Sequence, residues 1–514
     1  MSTRQLISLI LAALALYLAL VLSNHPQHWL PAEFPMILLA LLAFGSYRGV
    51  KVALFLLLVI SDIWSAADLI SLQMLGRKFD PVADLALIGP LTSLLASSFG
   101  RLAAITAVLA AILLLALGCR VIWWSIGVWA ALRPGLLSKP RTAATVAAGL
   151  CGFALLGSAA PSHGMIERVG AIRQGIETAR SFRAEIRDDP ISPALRLDLL
   201  DADLMVIFVE SYGRTSFDTA FFAQKHLGTL RRTETALAAS GLAARSGFLT
   251  SPTHGGQSWL AHATFANGLW IANQVQYRAA LASGRRTVFH IAQQAGFETA
   301  AIVPGITRPW PEAARMGFDR VMAAADLGYG GAAFNWVTMP DQFTLAASER
   351  LLPRQDGKRL ATQIVLISSH APWVPVPRLL DWDRIGDGRV FDEQARSGDS
   401  PETVWRDRDR VRMQYREAID YSLNAALQYC LRHAHERRLV VLLGDHQAAS
   451  SIGLDDRREV PVHVIGPADL VGRTAEWGLA PGLVPPTTTR ALPMERMRDL
   501  ILRSYSSTTK APPA

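Results

Sequence analysis

VIFVESYG, residues 206–213, decides how the second half of this chain is read. An unbroken apolar run from Leu204 to Val209 ends in Glu210, with Ser211, Tyr212 and Gly213 behind it. A short apolar run of this kind reads as a strand buried on both faces. Glu210 then stands at its C-terminal tip, either as a metal ligand or simply as the polar residue that ends a strand.

Four further runs have the same character: TAAIVPG (299–305), QIVLISSH (363–370), RLVVLLGDH (438–446) and VPVHVIG (460–466). Longer helical patterns lie between them, such as 411–435, with apolar Ala418, Leu423, Ala426 and Leu427. Buried strands alternating with helices predict an α/β domain with a mostly parallel central sheet covered on both faces. Ligands of such sheets bind beyond the carboxyl ends of the strands. Three of those ends carry candidate ligands: Glu210, His370 and the pair Asp445–His446. The last strand adds His463 and nearby Glu459.

A nucleophile would complete such a set. SPTHGGQSWLAHATF, 251–265, is a glycine-containing loop before a helix-like stretch. Ser258 falls near the helix start, where free backbone N–H groups and the helix dipole favour an anion such as a phosphoryl oxygen. The plain alternative is that Ser258 only caps the helix.

The first 160 residues are of another kind. Across all 514 residues the mean hydropathy is +0.23, and the apolar excess is concentrated at the N-terminal end. A crossing helix needs about 20 apolar residues. The sequence offers Leu6–Ser23, Pro31–Tyr47, Val52–Leu72, Leu102–Leu132 and Thr142–Ala160. Residues 80–100 hold two prolines and two acids and are read as an interfacial helix, although counting them as a sixth span would reverse the topology. No small-residue cleavage site follows Ser23, so the first span is expected to be retained. With five spans, Arg4, Arg48, Lys51, Arg133, Lys139 and Arg141 share one side, which predicts a cytoplasmic N-terminus and an external position for everything after Ala160. Asp62 and Asp68 lie at the outer end of the third span, where solvation is easy. The domains are then 1–160 (transmembrane), 161–200 (amphipathic linker) and 201–514 (catalytic).

The net charge of +8 raises a nucleic-acid reading, but no basic stripe interleaves with aromatics, so no nucleic-acid partner is expected. Cys119 and Cys151 lie in apolar spans, which leaves Cys430 without a disulfide partner in the soluble part. The charges and tryptophans of 378–410 suggest an external loop or lid.

Taken together, FVESYG, GGQSW, SSHAPW and GDHQ resemble, in order, the motifs of the alkaline phosphatase/sulfatase superfamily. The match is to its membrane-anchored transferase branch, which includes lipoteichoic acid synthases, phosphoglycerol transferases and phosphoethanolamine transferases. The resemblance implies that Glu210, Ser258, Asp445 and His446 hold one divalent metal, Zn²⁺ or Mn²⁺, with Ser258 also the nucleophile. It implies that His370 contacts the phosphate or helps protonate a leaving group, that His254 binds substrate, and that Trp310 lines the headgroup pocket. The expected activity is transfer of a phosphoglycerol-like headgroup from a membrane phospholipid, through a seryl intermediate, to a glycan or lipid acceptor. Its expected place is the outer face of a bacterial cytoplasmic membrane. Phosphoethanolamine transfer and phosphodiester hydrolysis are the alternatives, with a non-catalytic membrane-anchored binding protein behind them. The departures are a serine where this branch usually has threonine (Thr253 and Thr264 are the other hydroxyls nearby), and SWLAH in place of the sulfatase C/S-x-P-x-R. Pro311 and Glu312 follow Trp310 where an arginine is expected, with Arg308 and Arg315 as substitutes, and Glu459 stands where phosphoethanolamine transferases carry histidine.

Overall fold

The computed structural model describes residues 2–23, 33–75, 78–84, 101–132, 163–191, 195–353 and 357–507. The chain forms two compact units, Met1–Leu72 with Arg77–Thr178, and Gln73–Gly76 with Ala179–Ala514.

In the first unit, Thr3–Val21, Arg48–Leu72 and Leu102–Ala130 are long and apolar enough to cross a membrane. At 1.5 Å per residue these 19, 25 and 29 residues reach about 28 Å or more, the thickness of a hydrocarbon core. Leu16, Leu41, Leu58, Ile122 and Ile126 pack together between the helices. Leu11, Leu14, Leu113 and Leu114 stay exposed, as lipid-facing residues would. The expected second span is a helix of only 12 residues, Glu33–Phe44, about 18 Å long and short for a crossing. The expected span Thr142–Ala160 and most of the interfacial segment lie outside the described residues. Three helices of spanning length therefore stand among the described residues where the sequence reading counts five. Asp68 accepts a hydrogen bond from the Phe79 amide at 2.9 Å, a structural role.

The second unit is built on a nine-stranded sheet. Its strands are β1 (Asp203–Val209), β2 (Leu242–Thr250), β3 (Glu298–Val303), β4 (Arg320–Ala323), β5 (Leu360–Leu366), β6 (Arg438–Gly444), β7 (Glu459–Pro467), β8 (Ala480–Pro481) and β9 (Leu492–Pro493). The order is β4-β3-β5-β1-β6-β7-β2-β8, with β9 beside β2. From β4 to β6 all pairings are parallel. From β6 onwards β7, β2 and β8 pair antiparallel, while β9 runs parallel to β2. The sheet is thus mixed, which corrects the expectation of a mostly parallel one. Residues 445–458, between β6 and β7, contain only the four-residue helix Ser450–Gly453. With no long crossover helix to carry it back along the sheet, the chain turns and runs antiparallel.

Strand β1 is buried throughout at the centre of the sheet, between β5 and β6. The parallel register pairs Val209 with Leu366 and with Gly444, so the three strands end level with one another. Glu210, the 367–370 turn and Asp445 therefore emerge at one edge. The helix Arg408–Arg432 covers the sheet with Tyr415, Ile419, Ser422 and Ala426 turned inward, the 3.6-residue spacing of a core-facing helix.

Candidate active site

Glu210 leaves β1 buried, its backbone amide bonded to the Leu366 carbonyl. One carboxylate oxygen, Oε2, accepts a hydrogen bond from Ser258 Oγ at 2.8 Å. The other, Oε1, accepts from Ser211 Oγ at 3.1 Å and lies 3.0 Å from His446 Nε2. Asp445 Oδ1 accepts the backbone amides of Ser211 and His446, at 2.9 and 2.6 Å. The ligand-type atoms of Glu210, Asp445 and His446 lie within 4.8 Å of one another, and all three residues are buried.

The chemistry of this cluster calls for a cation. His446 Nδ1 is 2.9 Å from the Gln447 carbonyl oxygen, which can only accept, so Nδ1 carries a hydrogen and Nε2 is left to hold either a second proton or a lone pair. Nε2 faces Glu210 Oε1 at 3.0 Å, and Asp445 Oδ2 is buried without a hydrogen-bond partner. Two carboxylates and an imidazole so placed need positive charge between them, from protons or from a metal ion. Burial raises the Asp445 carboxyl, and the Glu210 charge adds to it, up to about 8. Burial disfavours charge on His446 and Glu210 too, but mutual attraction wins. The neighbouring acids push His446 up to about 9, and the His446 charge holds Glu210 well below the usual carboxylate range. A divalent ion would replace those protons. Three oxygens and one imidazole nitrogen, counting Ser258 Oγ, form a donor set that suits Zn²⁺ or Mn²⁺.

Ser258 is the first residue of the helix Ser258–Asn267. It does not cap that helix. The N-cap is Gln257, which makes no side-chain cap bond, and the serine hydroxyl reaches Glu210 instead. The chain enters the helix through Gly255, Gly256 and Gln257 at φ 72°, 151° and 65°, a mirror-region run that glycine supplies at little cost. The loop is anchored to the tip of β6 by Ser251 Oγ on the Asp445 carbonyl at 2.5 Å and by the Gly255 amide on the Gln447 carbonyl at 2.8 Å. Thr264 is taken up by the Ile271 backbone, and Thr253 is buried beside Ser251, so of the three hydroxyls weighed from sequence Ser258 is the one bonded to Glu210.

His370 follows β5 half-buried, and its charge contributes to holding Glu210 ionised. Its Nδ1 donates to the Ala371 carbonyl at 2.7 Å. His254, buried, bridges to Gln447 and lies close enough to His446 for their charges to oppose. Trp310 stands apart from these contacts: its indole N–H donates to the Tyr277 hydroxyl at 3.3 Å and its ring packs near Phe318. Glu459 pairs with the buried guanidinium of Arg214, and His463 lies between Ser246 and Tyr212, both structural arrangements. Arg308 and Arg315 are exposed.

Sequence reading missed two residues beside the site. Trp336 stacks on the His370 ring at 3.9 Å, and His262, one turn beyond Ser258, packs on Phe208 with its Nε2 buried and unpartnered. The i, i+4 spacing from Ser258 was the available signal for His262; nothing local marked Trp336. Backbone strain marks the site as well. Among the described residues six non-glycine positions have positive φ, and four of them, Ser211, Gln257, Asn335 and Trp373, adjoin or closely follow Glu210, Ser258, Trp336 and His370.

No protein-family model matches the chain, and no curated protein matches it by sequence. Among solved structures, the integral membrane lipooligosaccharide phosphoethanolamine transferase A (EptA) from Neisseria meningitidis aligns over 99% of this chain and 97% of its own, at 15% identity and a TM-score of 0.50. The lipoteichoic acid synthase LtaP from Listeria monocytogenes aligns over 55% of this chain and 71% of its own, at 14% identity and a TM-score of 0.38. The phosphoglycerol transferase GacH from Streptococcus pyogenes aligns over 56% and 72%, at 11% identity and a TM-score of 0.37. At such identities the likeness is one of fold. That shared fold extends, in EptA, along nearly the whole of both chains.

Proposed function

We propose that the chain is a metal-dependent transferase that moves a phospholipid headgroup, phosphoglycerol-like, to a glycan or lipid acceptor at the outer face of the membrane. The observation that carries this reading is the 2.8 Å hydrogen bond from Ser258 Oγ to Glu210, inside a buried Glu–Asp–His cluster whose ligand-type atoms converge within 4.8 Å. A divalent ion held by Glu210, Ser258, Asp445 and His446 would neutralise phosphoryl charge and acidify the serine hydroxyl.

The residues divide the work. Glu210 draws the hydroxyl hydrogen of Ser258 and fixes the direction of its attack. Ser258 Oγ bonds to phosphorus as the bond to the diacylglycerol oxygen breaks, leaving the headgroup on the serine as a phosphodiester. His370 gives the departing oxygen a proton, and His254 is assigned to binding the phosphodiester. An acceptor hydroxyl, giving its proton to His370, then attacks phosphorus as the bond to Ser258 Oγ breaks, and the serine takes its hydrogen back from the Glu210 side. Trp310, held by Tyr277, is assigned to the headgroup.

Phosphoethanolamine is the second reading for the headgroup, favoured by the match of EptA along the whole chain. Mass spectrometry of the Ser258 peptide after incubation with membrane lipids tests both: an added phosphoglycerol or phosphoethanolamine mass names the group, and an unmodified serine in an actively turning-over enzyme sinks the seryl route. Turnover with water alone as acceptor would make the enzyme a hydrolase.

A further inference from the structure

The ring stacked on His370 belongs to a segment with no part in the scheme above. Trp336 lies in a two-residue turn closed by reciprocal backbone bonds between Phe334 and Val337, 2.8 and 3.1 Å. Asn335, at φ 57°, sends its side-chain amide to the Val374 carbonyl, and Thr338 Oγ1 donates to the Pro304 carbonyl at 2.7 Å. The turn is thereby tied both to the segment after β3 and to the segment after β5. Its tryptophan is half-buried and stacks on the imidazole, ring centroids 3.9 Å apart and planes 26° apart.

We propose that Trp336 is a positioning residue for His370. The imidazole has two torsions to fix. Its Nδ1–H bond to the Ala371 carbonyl, 2.7 Å, sets which edge faces inward, but a single hydrogen bond leaves the ring free to tilt about it. The indole face removes that tilt, so that Nε2 has one direction. A proton transfer to a leaving oxygen needs the donor aligned within hydrogen-bond reach as the phosphorus–oxygen bond breaks, and misplacement by about 1 Å lowers such a step roughly a hundredfold. Removing the indole would therefore slow departure of a poor leaving group and leave binding nearly unchanged. The inference rests on the leaving-group role proposed for His370.

Leaving-group dependence provides the test. Full-length enzyme in detergent is assayed with a phospholipid, whose alkoxide must be protonated, and with a p-nitrophenyl phosphodiester of the same headgroup, whose phenolate leaves unaided. In Trp336→Leu, kcat on the phospholipid should fall about tenfold or more with KM within about twofold, while the p-nitrophenyl substrate stays within about threefold; Trp336→Phe should recover most of the loss. Equal losses on both substrates, or none on either, would overturn the inference. If the leucine variant does not fold, Trp336→Met, unbranched and similarly bulky, carries the same comparison. His370→Ala separates the two layers: full phospholipid turnover in that variant removes the leaving-group role itself, whereas a slow His370→Ala beside a normal Trp336→Leu removes only the part assigned to Trp336.

Discussion

Ser258 gives its hydroxyl to Glu210 rather than to its own helix, which rules out the capping role and leaves the hydroxyl placed for the nucleophilic role proposed for it. Ser258→Ala should lower transfer by about four orders of magnitude or more, while bound metal, measured by elemental analysis, falls far less because Glu210, Asp445 and His446 remain. His463 shows the opposite kind of residue, one held neutral for structure. Ser246 Oγ donates to the Gly482 carbonyl and so accepts from His463 Nδ1–H, while the Tyr212 hydroxyl donates to Nε2. Burial pushes His463 down to about 3, whereas an unfolded chain takes up that proton below about 6.5. The unfolded state then binds more protons as pH falls from about 6.5 towards 3, so stability is lost on the acid side. In His463→Gln, the loss of stability between pH 7 and pH 5, followed by thermal unfolding, should be smaller by about 2 kcal/mol. An unchanged acid limb would mean that His463 is already charged in the folded protein.

At the scale of elements, the site depends on strand tips that end level. Gly213 sits where the turn after β1 meets the turn after β6. A Cβ there would stand 1.4 Å from Gln447 Oε1 and 2.9 Å from Gln447 Cα, next in sequence to His446. Gly213→Ala should cost roughly 1–3 kcal/mol and weaken metal retention by displacing the 446–447 turn; tight metal binding with unchanged melting would show that Gln447 moves aside freely. These elements also explain what the sequence could and could not disclose. Strands β1, β3, β5, β6 and β7 were legible because each contains a short, mostly apolar run, and the tips of β1, β5 and β6 delivered Glu210, His370 and Asp445–His446. Strand β2, LAARSGFLT, was not: Arg245, Ser246 and Gly247 interrupt it, and it borders the antiparallel half of the sheet, whose direction leaves no local mark. Trp336 was invisible for a related reason, since its contact with His370 is made across 34 residues by a turn whose fixings are backbone carbonyls.

For the molecule as a whole, two expectations follow. Chelation should abolish activity without loss of secondary structure by circular dichroism, and Zn²⁺ or Mn²⁺ should restore it; activity that persists in metal-free protein would remove the metal from the reading. The three apolar helices should keep the chain in the membrane pellet after an alkaline wash. With the second unit outside, protease added to intact spheroplasts should digest it while a cytoplasmic marker survives; protection would favour an even number of crossings.

The stitching of the serine loop to the tip of β6 has a mechanical consequence. Ser251 and Gly255 bind the carbonyls of Asp445 and Gln447, the residues that bracket His446. The proposed attacking group and the proposed metal-binding pair are therefore one part rather than two that must find each other. On that reading, slack between them would be taken up together, and the acceptor side could vary widely while the stroke of the serine stays the same.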